Sequence, residues 1–123
     1  MLITITTMFD ISDEDIDNIM TTALEGGINY WCRAVKVKGE YLGQYASEQI
    51  SRGGSLILYD MESSDHWVLN PHKFERGLTR WLSDSRHLAL VIDEFGCFDC
   101  GQIDAAAADE IIQLALFEEI MFG

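Results

Sequence analysis

Cys97 and Cys100 lie in the stretch DEFGCFDCGQID, residues 93–104. A C-x-x-C pair on a turn can bring two thiolates to within about 2.3 Å of one Zn²⁺, as structural zinc sites require. Two further ligands would complete the site. Cys32 is the remaining cysteine, and the histidines are His66, His72 and His87. If a helix over 71–84 returns beside a strand over 88–93, its ~21 Å length sets His72 near the cysteines and His87 at the far end. The expected set for a structural zinc is therefore Cys32, His72, Cys97 and Cys100, with His66, Asp99 or Glu94 able to stand in at the fourth position. The pair could also be two small side chains in a loop, or a redox centre. Redox chemistry is disfavoured on two grounds. A thioredoxin-like pair opens a helix directly after a strand, whereas here the next helix is expected only at Asp104. The surrounding carboxylates also raise a thiol's pKa and keep it protonated.

Carboxylates are the other reactive groups in quantity. Asp93-Glu94 at a strand end, or Asp13-Glu14-Asp15-Asp17 on a helix, could hold Mg²⁺ or exchange protons. Acids at a helix start already have a structural reason, the helix dipole. No Ser/His/Asp set and no phosphate-cradling G-x-x-x-x-G-K-[ST] accompanies them. The expectation is a protein without a catalytic centre, a metal-dependent enzyme built on Asp93-Glu94 being the alternative.

The distribution of charge says more. The chain has 123 residues and a formal net charge of −13. Residues 1–30 carry Asp10, Asp13, Glu14, Asp15, Asp17 and Glu25 with no Lys or Arg. Residues 91–123 carry Asp93, Glu94, Asp99, Asp104, Asp109, Glu110, Glu118 and Glu119, again with nothing basic. All 8 Lys and Arg residues fall between. If the two ends meet in space they form one strongly negative face. Such a face repels nucleic acid and attracts basic partners, including proteins whose usual ligand is DNA or RNA. The expected contact residues are Asp93, Glu94, Asp99, Asp104, Asp109 and Glu110, with Asp13, Glu14, Asp15 and Asp17 as a second patch. Direct nucleic-acid binding is not expected, since the centre is balanced and the whole chain would oppose a polyanion.

The elements that must position these groups follow from periodicity and punctuation. LITITTM (2–8) alternates as a strand. Ser12 with Asp15 forms a capping box for a helix that buries Ile16, Ile19, Met20, Ala23 and Leu24 and stops at Gly26-Gly27. CRAVKVKG is a strand, and EYLGQYASEQISRGG reads as a short helix. SLILYD and HWVL form a hairpin. Asn70-Pro71 starts a helix with Phe74, Leu78, Trp81 and Leu82 on one face. LALVI reads as a buried strand. A last helix begins after Asp104 and runs to the end, with Ile111, Ile112, Ala115, Leu116 and Ile120 inward. The expected fold is one α+β domain over residues 1–123, its helices packed on one face of a mainly antiparallel sheet.

Composition sets the class. Apolar residues make up 48% of the chain, enough for a core and against disorder. No run approaches a membrane span, and the N-terminal residues lack a signal-peptide pattern, so a cytoplasmic protein is expected. Three cysteines fit that compartment better than a disulfide scaffold.

Three segments, ALEGGINYWC (23–32), GEYLGQYASEQISRGGSLILYD (39–60) and ADEIIQLALFEEIMFG (108–123), resemble a family of small acidic proteins from phages and prophages of Gram-positive bacteria. Some of its members resemble anti-CRISPR proteins, which inhibit type II CRISPR nucleases by binding the nuclease or competing with its DNA. The resemblance implies a stoichiometric inhibitor of a host CRISPR effector nuclease, acting in the host cytoplasm. The alternative is a structural or regulatory phage protein that binds another host protein. The C-x-x-C lies outside the three segments.

Overall fold

A capping box opens the first helix. In the computed structural model, which describes residues 1–3 and 8–123, the Ser12 hydroxyl accepts from the Asp15 amide while the Asp15 carboxylate accepts from the Ser12 amide, each at 3.1 Å. The strand expected over 2–8 falls mainly on residues 4–7, outside the described residues. Helix α1 (Asp13–Thr22) widens into a π turn over Ala23–Gly27, as the Gly26-Gly27 stop implied. Ile19, Met20 and Ala23 are buried, and Ile16 and Leu24 pack at the edge of the core.

Three antiparallel strands follow in the order β1 (Cys32–Lys38), β2 (Ser55–Asp60) and β3 (His66–Leu69). Their register stacks Val37, Leu56 and Leu69 in one row and Val35, Leu58 and Trp67 in the next, all on the face that meets the helices. Alternation puts Lys36, Tyr59 and His66 on the other face. There Arg33 and Lys36 both sit over the Tyr59 ring, at 5.1 and 5.6 Å from its centre. Two of the cations from the middle of the sequence thus lie on the sheet side away from the helices.

Helices α2 (Pro71–Leu82) and α4 (Ala105–Phe117) form the main helical layer. Asn70 and Asp104 cap them through the Lys73 and Ala107 amides, both at 2.8 Å. A Cβ added to Gly77 would lie 2.6 Å from both the Ala115 Cβ and the Ile111 carbonyl oxygen, so α2 and α4 are in backbone contact there. Glycine costs a helix about 1 kcal/mol relative to alanine. Burial of Phe74 and Leu78 on the same stripe returns about 1.5–3 kcal/mol each, so packing wins over propensity.

Three expectations need correction. LALVI is not a strand: Ser85–Val91 is a helix, α3, capped by Asp84, which accepts from the Arg86 amide at 2.9 Å. A short apolar run carries no period that separates strand from helix, and the Asp-Ser start signal decided it. The 40–54 segment keeps only a 3₁₀ turn at Ala46–Glu48. Side chains take up its backbone groups: Glu48 accepts from the Gln44 and Tyr45 amides, and buried Gln49 bonds the Leu42 amide and the Glu40 carbonyl. Such local bonds compete with helix. The last helix ends at Phe117, where Glu118 turns left-handed at φ 62°, and Ile120 is exposed rather than inward. The α+β architecture, with helices packed against an antiparallel sheet, stands.

Gly77→Ala is expected to destabilise the protein by about 1–3 kcal/mol through overpacking, read as a lower urea midpoint. An unchanged midpoint would mean the two helices part at no cost.

Candidate partner-binding surface

The two acidic ends of the chain meet. Phe9 and Phe98 lie with ring centres 6.0 Å apart. The Asn18 amide on α1 reaches the Cys100 sulfur at 3.8 Å, and the nearby Asp15 carboxylate helps push the same thiol's pKa up. The start of α1, with Asp13 and Glu14 exposed and Asp15 half-buried, therefore borders the 93–104 loop.

That loop is built on its own carboxylates. Asp93 accepts from the Phe95 and Cys97 amides, both at 2.9 Å, and its backbone amide donates to the Cys97 carbonyl. Gly96 completes the turn at φ 77°, a conformation that suits glycine. Ile92 and Phe98 then pair across the loop neck in an antiparallel bridge. Asp99 accepts from the Gly101 amide at 3.0 Å, and Asp104 begins α4. These acids act as fixed negative charges because backbone donors hold them in place. Glu94 is exposed.

Three expected contact residues do other work. Asp109 is not on the surface; it is only 8% exposed. Its carboxylate accepts from the Trp31 indole at 2.7 Å, the Tyr30 hydroxyl at 2.6 Å and the Gln113 amide at 3.0 Å. It sits on the inward stripe of α4 beside Ile112, where an acid survives because donors converge on it. Glu110 accepts from the Trp81 indole at 2.9 Å and lies 3.9 Å from His87, on the α2–α3 side. Asp17 accepts from the Ser51 hydroxyl at 2.5 Å. The negative face thus consists of Asp13, Glu14 and Asp15 together with Asp93, Glu94, Asp99 and Asp104.

The expected zinc ligands are not gathered. Among the described residues, no group of three or more His, Cys, Asp or Glu side chains is placed to hold a metal ion. Cys32 is buried on β1, with its sulfur against the Ala34 carbonyl at 3.3 Å. Cys97 is exposed, and Cys100 faces α1. His72 is exposed on the first turn of α2. The argument that carried it toward the cysteines needed a strand at 88–93, and that segment is largely helix α3. The four residues as placed do not fit a tetrahedral site. Two thiols are pushed up in pKa: Cys32 by burial, and Cys100 by burial first, then by Asp15 and the Asp99 charge. Protonated thiols are weak ligands and nucleophiles.

Comparison with protein-family models, curated proteins and solved structures returns no match. The phage-family resemblance rests on its three segments alone. No described helix is long and apolar enough to cross a membrane.

Sequence reasoning missed the Asp109 cluster, although Tyr30-Trp31 and an acid within an apolar helical stripe were its signal. The Tyr30 hydroxyl is pushed up to about 12, by loss of hydration first and then by the Asp109 hydrogen bond and charge. Its contribution to stability is complete below the ordinary value of 10.0 and is lost as pH rises toward 12. Tyr30→Phe should remove that alkaline loss, measured as urea midpoint against pH; an unchanged slope would assign the loss elsewhere. Asp109→Ala leaves the Trp31 indole unpaired and should cost about 3 kcal/mol. Elemental analysis of protein purified without added metal tests the zinc expectation directly: stoichiometric zinc would mean that the loop rearranges to bind it, and a content near zero would remove the site.

Proposed function

We propose that the protein acts by stoichiometric, non-catalytic binding to a basic protein surface, and that its partner is a type II CRISPR effector nuclease of a bacterial host. One observation carries the first half. Carboxylates from opposite ends of the chain converge where α1 meets the 93–104 loop. The folded domain thereby presents a concentrated negative face to solvent, while its cations lie mainly on the far side of the sheet and along α2. Such a face is complementary to a groove that normally holds nucleic acid, and it steers association at low ionic strength. The resemblance of the three segments to phage proteins supports the second half and sets the place of action in the host cytoplasm.

The acids are suited to binding rather than proton transfer. Asp15, Asp93, Asp99 and Asp104 each accept from a backbone amide, which fixes them as charges. Fixed charges on a rigid loop lose little freedom when a partner binds, which favours affinity.

Purified protein at one molar equivalent should suppress target cleavage by the susceptible nuclease, and added salt should weaken the effect. Reversing the exposed acids Asp13, Glu14 and Glu94 to Lys should lower potency by about tenfold or more. Cleavage untouched across several type II nucleases would remove the nuclease as partner. Unchanged potency of the triple variant would move the contact off this face.

A further inference from the structure

A cleft of about 950 Å³ opens beside the acidic face, between the segment leading into α1, the turn after Gln49, and helices α2 and α3. Its floor is apolar: Ile16, Ile50, Phe74, Leu78, Leu82 and Leu88. Its mouth is marked by exposed residues, Asp10 and Glu75 as carboxylates with Thr79 and Ser83 between the helices. Among the described residues, no Lys or Arg lines it. Two cations of α2 are engaged elsewhere, Lys73 with the Val68 carbonyl and Arg76 with the Ala115 carbonyl, both at 2.8 Å, while Arg80 borders the outer side of Glu75, Thr79 and Ser83. Met1, Leu2, Ile3 and Met8 are exposed.

We infer that this cleft receives an amphipathic helical segment of the partner, apolar on one face and flanked by Lys or Arg. Size and charge together select that occupant. A helical turn with its side chains fills a cylinder about 10 Å across and 5.4 Å high, roughly 420 Å³, so the cleft holds about two turns. Helix-in-groove recognition needs apolar anchors at i, i+3 or i+4 spacing, and the floor supplies a row of Phe74, Leu78 and Leu82 on α2 with Ile16 of α1 and Ile50 beside it. Asp10 and Glu75 then meet cations on the segment's flanks. Asp13, one turn before Ile16 on α1, adds a third carboxylate to that side. An acidic segment would meet repulsion from Asp10 and Glu75. The inference rests on the proposal that the protein binds a basic protein, and it places the anchoring contact beside the acidic face rather than on it.

The test uses the full chain and a fluorescein-labelled, end-capped Leu/Lys peptide with helical amphipathic spacing, followed by anisotropy. A Leu/Glu peptide of the same spacing is the control. The Leu/Lys peptide should bind at least about tenfold more tightly than the control, and Thr79→Trp, which fills the cleft from an exposed position, should weaken it by about tenfold. Glu75→Lys should act in the same direction, and added salt should mimic it. Ser83→Trp blocks the same cleft if Thr79→Trp disturbs folding, as checked by circular dichroism. Equal binding of both peptides would overturn the charge argument. Full binding by both blocked variants would overturn the site, and so would a fluorescent fatty acid that occupies the cleft and excludes the peptide. Nuclease inhibition measured in parallel keeps the two proposals distinct. Peptide binding that the blocked variants abolish, without inhibition of any nuclease, supports the cleft and removes the nuclease. Inhibition that the blocked variants leave intact overturns the cleft as the anchoring contact and leaves the acidic face standing.

Discussion

A buried carboxylate needs hydrogen bonds from several directions, and Asp109 obtains them only if distant parts of the chain come together. Tyr30 and Trp31 approach from the turn before β1, and Gln113 from the next turn of α4. Gln113 passes the constraint on, accepting from the Met121 and Phe122 amides and donating to the Phe122 carbonyl. The segment after α4 therefore folds back, and Phe122 stacks parallel to Trp31 with ring centres 5.1 Å apart. Trp67 and Phe117 close the same aromatic group edge to face at 5.0 Å. One polar centre thus clasps the sheet, the last helix and the C-terminal segment together, within an apolar shell that strengthens each bond.

Two glycines make that closure possible on the helical side. Gly77 lets α2 and α4 touch backbone to backbone, and Gly27 does the same where the end of the first helical segment meets α4; a Cβ there would lie 2.8 Å from the Ala105 carbonyl oxygen. With α4 held on both flanks, its N-terminus is fixed, and so is the 93–104 loop that feeds it. The loop's carboxylates are then positioned by the packing of the helices. The acidic face follows from core geometry as much as from composition.

The arrangement separates charge by side. Acids gather where α1 meets the loop, and Arg33 and Lys36 stack over Tyr59 on the outer face of the sheet. A chain of net charge −13 strains against its own repulsion. Backbone amides at helix starts and turns offset part of that cost, since they donate to Asp15, Asp93, Asp99 and Asp104. The same bonds that make the acids tolerable also make them rigid, and the apolar cleft opens beside them.

The sequence determined several features that depend on neighbours within a few positions: the capping box at Ser12, the caps at Asn70 and Asp104, the Gly26-Gly27 stop, and the three strands with their alternating faces. It also announced the acid at both chain ends. Local competition and long-range contacts decided the rest. LALVI became helix because an Asp cap was available and an apolar run has no period of its own. His72, placed beside the cysteines only by a strand that did not form, stayed on the surface. Asp109, identical in the sequence to its exposed neighbours, went into the core because Tyr30, Trp31 and Gln113 converge on it. Whether a carboxylate is a surface charge or a core clasp depends on which donors the folded chain brings to it, and local sequence holds no record of those donors.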